Sequence, residues 1–354
     1  CQMSIGHMLL QTGFRPSEFW FSAERFAEGL TGLREIYGFD GILVSLHGHF
    51  PDWEKNILRV VREERNETVH WKNGDRTFFP SNDLPVHSAH AVRPVPLLSD
   101  FDPASLEDIL SFIPVSQGLE FRLDPDHPYT IFDIVRAEAG PDVSIHGEVT
   151  SPFDYFLHLF GFDQALIGLV EQPSRCREVL QAFTRAVMKI AAGQAARNID
   201  ALKISSPFAG SGFISARFYR EFVLPYEAQV AGAAESLGVP VYTHTCGAIN
   251  DRLEMMLEAD ISGIECLDPP PLGDVELGEA KKRIGRKAFI KGNIDPVNTL
   301  LFKDLEAVQK DALARIEAGK PGGGFILSTA CSIAPHTRRE NIQVLAPLAE
   351  SFGA

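Results

Sequence analysis

Long apolar runs are missing from this sequence, and so is any segment that looks like a targeting signal. No apolar run approaches the roughly 18 to 20 residues that a membrane-spanning helix needs, and the first residues show no basic segment followed by a long apolar one. These absences argue against a membrane protein, and we expect a cytoplasmic location. The sequence opens on Cys1 instead of a methionine, so we also expect native residues to precede it.

Positive charge is also scarce. The chain carries 33 Lys and Arg residues against 47 Asp and Glu residues, which gives a formal net charge of -14. Nucleic-acid binding normally requires a clustered basic surface, because each phosphate contact needs a cationic partner. The composition therefore excludes nucleic acid as the expected partner.

Cysteine is sparse and odd in number. Five cysteines in 354 residues, scattered along the chain, do not form the dense and even-numbered pattern of a disulfide framework. Reduced thiols with individual roles are the interpretation that this distribution favours. They are Cys1, Cys176, Cys246, Cys266 and Cys331.

What the sequence does contain is a regular alternation of short β-branched or aliphatic runs with amphipathic stretches. This alternation is typical of βα units and a parallel sheet. Eight such units predict one α/β domain over residues 1–354, a (β/α)8 TIM barrel. The predicted strands are residues 1–6, 38–46, 142–149, 200–206, 239–244, 261–267, 287–293 and 324–331.

One long interval breaks this rhythm, between the second and third predicted strands. In "ETVHWKNGDRTFFP", the pair Asn73-Gly74 stands between alternating apolar residues, which is a strong hairpin signal. We therefore predict an insertion at about residues 50–141, with a hairpin near 68–79, that caps the barrel mouth.

Barrels of this type place their chemistry at the carboxyl ends of the strands and in the loops that follow. This rule selects candidate functional residues before any function is assumed, and the selection is rich in metal ligands and hydrogen-bonding groups. The candidates are His7, His47, His49, Glu148, Ser205, Ser206, His244, Cys246, Cys266, Asn293, Asp295 and Cys331.

"VYTHTCG" is the most specific of these strand ends. Residues i and i+2 of an extended segment point the same way, so His244 and Cys246 can reach one ion, and closure of the barrel can bring Cys331 near them. One imidazole and two thiolates are typical ligands of a catalytic zinc, which keeps a position open for substrate. The alternative from spacing alone is a satisfied histidine and two buried thiols that serve only as core.

Three motifs carry a resemblance to a known family. "YTHTCG", "KGNIDPVNTLL" and "GGGFILSTACSIAPHTRRENI" resemble, in order and position, the uroporphyrinogen decarboxylase superfamily and its zinc-dependent corrinoid methyltransferase branch. The resemblance is clear over about residues 199–354. It implies a barrel of the uroporphyrinogen decarboxylase type, zinc held by His244, Cys246 and Cys331, and a corrinoid (cobalamin) supplied by a partner protein.

The resemblance also implies a reaction, with alternatives. We expect a methyl group to move from a methoxylated small molecule, such as an aryl methyl ether, to cobalt(I) of a corrinoid protein. The first alternative is a methylcobalamin:thiol methyltransferase of the coenzyme M type. A corrinoid-pathway binding protein without turnover is less favoured. A uroporphyrinogen decarboxylase is also less favoured, because "SIGHMLLQTG" and "LVSLHGHF" lack the arginine cluster that would hold the carboxylates of uroporphyrinogen. A homo-oligomer stays open.

The other strand-end residues receive supporting roles. Glu148 is placed to complete the zinc shell when substrate is absent, with an ion-paired loop carboxylate as the alternative. His47 and His49 are expected to face the same cavity as hydrogen-bond partners or a proton source, because unperturbed histidine titrates near pH 6.5.

The last three candidates divide between the site and the fold. The resemblance places Asn293 close to the pocket, where we expect it to orient the substrate or to support the residues that contact it; a turn role is the alternative. Asp295 is expected to build a turn, because Asp before Pro commonly does so. Cys266 lies outside the zinc motif, and a buried packing role is expected for it.

Overall fold

The structure is a computed structural model that describes residues 4–49, 52–91, 94–106, 110–116 and 119–353. In chain order the strands are β1 (Gly41–Val44), β2 (Ile57–Glu63), β3 (Asn66–Trp71), β4 (Arg76–Phe79), β5 (Val86–Ser88), β6 (Phe112–Ser116), β7 (Leu119–Arg122), β8 (Ser144–Thr150), β9 (Ala201–Ser205), β10 (Val241–Thr245), β11 (Gly263–Cys266), β12 (Phe289–Ile294) and β13 (Phe325–Thr329). The helices are α1 (Ile5–Thr12), α2 (Pro16–Phe21), α3 (Ala23–Tyr37), α4 (Thr130–Ala139), α5 (Pro152–Phe160), α6 (Phe162–Glu171), α7 (Pro173–Ala195), α8 (Ala216–Phe222), α9 (Leu224–Glu235), α10 (Leu253–Met256), α11 (Leu277–Ile284), α12 (Leu305–Gly319), α13 (Arg339–Gln343) and α14 (Leu345–Gly353). Short 3-10 turns lie at Trp53–Asn56, Pro103–Ser105 and Leu257–Ala259, and a π-helical turn lies at Pro296–Leu301.

A parallel sheet of seven strands organises the domain, in the order β1-β8-β9-β10-β11-β12-β13. Each strand pairs with the next one of this order, and helices return the chain between them, which is the (β/α) barrel arrangement. The predicted α/β barrel fold is confirmed. Because all seven strands run the same way, their carboxyl ends meet at one edge of the sheet.

The first predicted strand, residues 1–6, is wrong where the structure describes it. Residues 1–3 lie outside the described ranges, and Ile5 begins helix α1. Ile5, Met8 and Leu9 are buried together, a spacing that places them on one face of a helix and not of a strand. The short run up to residue 6 was too brief to reveal that period.

Burial follows from the layers. Every residue of β10 and β11 is buried, as expected when helices cover the outer face and side chains fill the barrel interior. The helices bury one face each, and in α7 Val179, Phe183 and Val187 recur at the helical spacing. Within the described ranges, no helix combines the length and the apolar character that crossing a membrane requires.

Between β1 and β8 the chain builds further structure on the barrel. Strands β2-β3-β4-β5 form an antiparallel sheet, and β6 pairs with β7 as a separate hairpin. Asn73 and Gly74 occupy the tight turn between β3 and β4, where Gly74 has a positive φ of 92° that favours glycine.

This inserted segment contacts the loop that follows β1. Leu123 lies so close to Gly48 that an added Cβ on Gly48 would come within 2.0 Å of Leu123 Cδ2. Phe121 contacts Trp20 and His49, with ring centroids 5.4 and 5.7 Å away. These contacts place the end of the β6–β7 hairpin beside the carboxyl end of β1; the role of the segment as a cap stays a prediction.

Candidate metal centre

His244 and Cys246 lie at the carboxyl end of β10. His244 is the penultimate residue of the strand, and Cys246 is the first residue after it. Their spacing on an extended backbone directs both side chains to one side, and the imidazole Nε2 lies 3.2 Å from Cys246 Sγ. The predicted convergence of these two side chains is therefore present.

A third donor comes from Cys266, which ends the neighbouring strand β11. Thr245 and Cys266 are direct partners across the two strands. The ligand atoms of His244, Cys246 and Cys266 all lie within 4.8 Å of one another. Burial raises the pKa of the Cys266 thiol to about 12. The strand register carries the Cys266 sulfur into the group, and the expectation that Cys266 only packs stays a prediction.

Cys331, which lies just after β13, brings a third sulfur close to Cys246. Its Sγ lies 4.0 Å from Cys246 Sγ, although 85 residues separate the two in sequence. The contact with Cys246 and burial raise the pKa of Cys331. For His244, burial favours the neutral ring, but polar contacts with Cys246, Cys331 and Glu265 outweigh it and raise its pKa well above the usual value. One nitrogen and several sulfurs at these distances fit the donor set that zinc prefers.

Glu265 lies behind His244 and is not among the residues predicted from the sequence. Its Oε2 is 3.1 Å from Nδ1 of His244, the ring nitrogen on the opposite side from Cys246. Burial would raise the pKa of Glu265, but the ammonium groups of Lys291 and Lys203 hold it well below its usual range. One feature of the sequence could have indicated Glu265: it is the charged residue inside the apolar run "ISGIECL". A charge in a buried strand requires partners, so such a residue is a candidate for a functional site.

Glu148, the predicted fourth zinc ligand, is held by a lysine. Lys203 Nζ lies 2.8 Å from Glu148 Oε1, and the two residues are direct partners between β8 and β9. Glu148 is not among the three residues whose ligand atoms lie within 4.8 Å of one another. Its role as a zinc ligand stays a prediction, and Lys203 would have to release it.

His47 and His49 follow β1 and are both buried, with 3% and 7% of their surface exposed. Gln194 Nε2 contacts His47 Nδ1 at 3.1 Å and also donates to the carbonyl of Glu148 at 2.8 Å. Within the described residues, His47 Nε2 and both nitrogens of His49 meet no protein partner. Burial lowers the pKa of both rings to about 3, so both are neutral near pH 7.

Aromatic rings surround this histidine pair. Tyr129 stacks on His47, with ring centroids 5.5 Å apart. Phe26 and Phe121 flank His49, with centroids at 5.3 and 5.7 Å. Uncharged hydrogen-bonding groups among aromatic rings suit an uncharged aromatic ligand better than an anion.

Asn293 is the penultimate residue of β12, Asp295 follows the strand, and both are buried. The Asn293 amide donates to the carbonyl of Leu267 at 2.8 Å and accepts from Arg315 at 3.0 Å. Both the nitrogen and the oxygen of this amide therefore form hydrogen bonds within the protein. The role of Asn293 in orienting substrate stays a prediction. Asp295 accepts from two backbone N–H groups of the turn that follows, so the expected turn role of Asp295 is confirmed.

Asp154 and Glu227 form a buried acidic pair that was also not predicted from the sequence. Ser151 Oγ donates to Asp154 Oδ2 at 2.5 Å, and Ser206 Oγ donates to Ser151 Oγ at 3.1 Å. The backbone N–H of Ser206 donates in turn to the carbonyl of His244 at 2.8 Å. Burial raises the pKa of Asp154 and of Glu227 to about 7 each. The pair is thus linked through Ser151 and Ser206 to β10, the strand that carries His244.

Comparison with known proteins gives relatives of two kinds. A methylcobamide:CoM methyltransferase MtaA of Methanosarcina barkeri is 27% identical over 221 residues, which cover 62% of this chain and 62% of that protein. A methylated-thiol--coenzyme M methyltransferase of Methanosarcina mazei is 27% identical over 195 residues, or 55% of this chain and 50% of that protein. A uroporphyrinogen decarboxylase of Thioalkalivibrio sulfidiphilus is 30% identical over 183 residues, or 50% of this chain and 49% of that protein. The chain thus spans less than two thirds of the length of these relatives.

Structure and family comparisons agree with the fold. A methyltransferase from Methanosarcina mazei superposes with a TM-score of 0.74 at 19% identity, covering 100% of this chain and 92% of that one, which shows that the fold is shared. The pattern of the family described as uroporphyrinogen decarboxylase (URO-D) matches residues 115–352, about two thirds of the chain. This match confirms the family predicted from the sequence. The chain therefore belongs to the uroporphyrinogen decarboxylase family.

Proposed function

We propose that this protein is a zinc-dependent methyltransferase that moves a methyl group from a methoxylated small molecule to cobalt(I) of a corrinoid protein. The observation that carries the proposal is the group of His244, Cys246 and Cys266, with Cys331 beside it, at the carboxyl edge of the barrel. Barrels place their chemistry at this edge. The Methanosarcina relatives are named as methyltransferases, which supports methyl transfer in particular.

His244, Cys246 and Cys331 would hold the zinc ion, as the resemblance implies, and Cys266 offers a further sulfur within reach. When bound, zinc would supply Lewis acidity that stabilises negative charge on a leaving oxygen or on a thiol sulfur. The chain itself contributes rigid positions for the donors, since β10 and β11 are buried throughout. Glu148 remains the proposed fourth ligand in the absence of substrate.

We assign the small substrate to the cluster around His47 and His49. Each neutral imidazole carries one N–H, and among the described residues His47 Nε2 and both nitrogens of His49 meet no partner. The two rings can therefore donate two hydrogen bonds to the oxygen atoms of a methoxylated ring, and the flanking rings of Tyr129, Phe26 and Phe121 can stack on it. Because both imidazoles are neutral near pH 7, they can donate or accept without attracting an anion. An uncharged aryl methyl ether matches these properties.

A second candidate is transfer in the other direction, from methylcobalamin to a thiol of the coenzyme M type. The named Methanosarcina relatives favour it. In both reactions the corrinoid would arrive on a separate protein that covers the barrel mouth, and the same metal centre would polarise the small molecule. The candidates differ only in which molecule gives the methyl group.

The two candidates separate in one set of incubations. Zinc-loaded protein is mixed with cob(I)alamin and a panel of methoxyarenes, and separately with methylcobalamin and a panel of thiols, and the absorption of the corrinoid is followed. Methylcobalamin formed from an ether supports the first candidate, whereas turnover with thiols alone assigns the second. Bound zinc without turnover in either arm, or decarboxylation of uroporphyrinogen instead, would refute both.

A further inference from the structure

Gln194 joins the loop after β1 to strand β8 from a position near the end of helix α7. Its side chain is completely buried. Its Nε2 lies 3.1 Å from Nδ1 of His47 and 2.8 Å from the carbonyl oxygen of Glu148. An added Cβ on Gly147 would come within 2.2 Å of Gln194 Oε1, so the amide has its place only because residue 147 is glycine. The amide of Gln194 is therefore confined between His47 and the backbone of β8.

The carbonyl of Glu148 decides which way this amide faces. A carbonyl oxygen accepts hydrogen bonds and cannot donate them, so the Gln194 atom beside it is the NH2 nitrogen and not the amide oxygen. The NH2 group carries two hydrogens, of which one serves this carbonyl and the other serves His47 Nδ1. Because His47 Nδ1 accepts, the other nitrogen of the neutral ring, Nε2, carries the proton.

The two histidines of the cluster differ in this respect. Burial lowers the pKa of His47 to about 3, so its ring is neutral near pH 7. Its Nε2 is buried and meets no partner among the residues that the structure describes, so a bound acceptor would satisfy it. Both nitrogens of His49 meet no partner within the same residues, so nothing there fixes the tautomer of His49. Selection between donors and acceptors therefore falls to His47.

We propose that Gln194 is a positioning residue that fixes His47 as an Nε2–H donor, so that the cluster selects ligands with an acceptor oxygen, such as the ether oxygen of a methoxyarene. The inference rests on the proposed function for the identity of the ligand, whereas the tautomer follows from the contacts of Gln194 alone. An ether oxygen accepts and cannot donate, so it bonds to Nε2–H and would face a lone pair in the other tautomer.

Gln194→Glu is the variant that reverses the tautomer. A carboxyl group has at most one hydrogen, and the carbonyl of Glu148 takes it, so the oxygen that faces His47 must accept from Nδ1–H. Gln194→Met is the second variant, in which the side chain has no hydrogen to donate and leaves the tautomer unset. Gln181→Glu is the matched control, because Gln181 lies on the same helix and bonds to Gln229 at 2.7 Å instead of to the cluster.

Two measurements are made on each folded protein. Two-dimensional ¹H–¹⁵N NMR spectra of the imidazoles show which nitrogen of His47 carries the proton, and the His47 signals are assigned by their absence in His47→Phe. Calorimetry gives the affinity for a methoxyarene and for the matched ethylarene, which has nearly the same shape and lacks the oxygen. Loss of packing alone would weaken both ligands equally, so the ratio of the two affinities isolates the hydrogen bond.

The wild type and Gln181→Glu should show Nε2–H and prefer the methoxyarene by about 2- to 10-fold, which is the net contribution of one neutral hydrogen bond. Gln194→Glu should show Nδ1–H and lose this preference, and Gln194→Met should lose the single tautomer and part of the preference. Nδ1–H in the wild type would overturn the positioning role. Equal affinity of the wild type for the two arenes, or binding of neither, would overturn the selection. The spectra need no zinc, corrinoid or turnover, so absence of methyl transfer would refute the proposed function and leave the tautomer unchanged.

Discussion

Substituting Asp154 by Asn removes a buried carboxyl whose protonation changes with pH inside the physiological range. Asp154 is 7% exposed, and burial raises its pKa from 3.8 to about 7. In the unfolded chain this group loses its proton near its ordinary pKa, while in the folded protein it keeps the proton until about pH 7. Folded protein therefore holds more protons between these values, and the free energy of unfolding falls as pH rises.

The magnitude follows from the size of the shift. A shift from 3.8 to about 7 is about three pKa units, and each unit is worth about 1.4 kcal/mol, so the carboxyl costs about 4 kcal/mol of stability above pH 7 and almost nothing near pH 4. Glu227 adds in the same direction, because its pKa is also about 7 and the charge of Asp154 contributes to that shift. Asn has nearly the same shape and never ionises.

The assay is urea unfolding of wild type and Asp154→Asn at a series of pH values from 4 to 8. As pH rises, Asp154→Asn should become more stable relative to the wild type, and the difference in unfolding free energy should grow by up to about 4 kcal/mol. Glu67→Gln is a control of opposite sign: burial opposes ionisation of Glu67, but bonds from Ser17 and Arg62 lower its pKa. The ionised carboxylate of Glu67 therefore stabilises the fold at pH values above its ordinary pKa, and this stabilisation is lost in acid. Relative to the wild type, Glu67→Gln should therefore become less stable as pH rises. Parallel pH curves for wild type and Asp154→Asn would refute the reasoning.

Three further predictions concern the metal centre and the substrate cluster. Gly210→Ala should weaken zinc binding at least several-fold in a chelator competition, because the added Cβ would lie 2.5 Å from the carbonyl oxygen of Cys246. Gly212→Ala is the control in the same loop: its added Cβ meets nothing within 4 Å, so this variant should bind zinc like the wild type. Cys246→Ala should stay folded by circular dichroism and lose both zinc and turnover; loss of the fold would instead indicate a structural zinc site. Binding of an uncharged methoxyarene, followed by tryptophan fluorescence, should be flat from pH 5 to 8, because the pKa values of His47 and His49 lie near 3, and a transition near pH 6.5 would show that these rings are solvated.

Much of the barrel could be predicted from the sequence, and the reasons are local. Within the ranges that the structure describes, seven of the eight predicted strands appear, since each is a short apolar run bounded by turn residues. The pair His244 and Cys246 was visible because its spacing alone directs both side chains one way. The segment at residues 5–6 was misassigned because its helical period becomes visible only with Met8 and Leu9 included.

The contacts that surround the metal group could not be predicted in this way. Cys266 joins the group because it pairs with Thr245, and Glu265 reaches His244 because these two residues are partners in the same ladder. Such pairs depend on the register between strands, which a single sequence does not specify for parallel strands joined by long connections. The hold of Lys203 on Glu148 has the same origin, in the ladder between β8 and β9.

The central claim is that the donors at the ends of β10, β11 and β13 carry a zinc ion that serves methyl transfer. The most direct test follows the conversion of cob(I)alamin to methylcobalamin by absorbance, with methoxyarenes as methyl donors, in zinc-loaded wild type and in folded Cys246→Ala. The account predicts methylcobalamin with at least one ether in the wild type, and neither zinc nor methylcobalamin in the variant. Equal methylcobalamin formation by a folded Cys246→Ala protein that holds no zinc would contradict it.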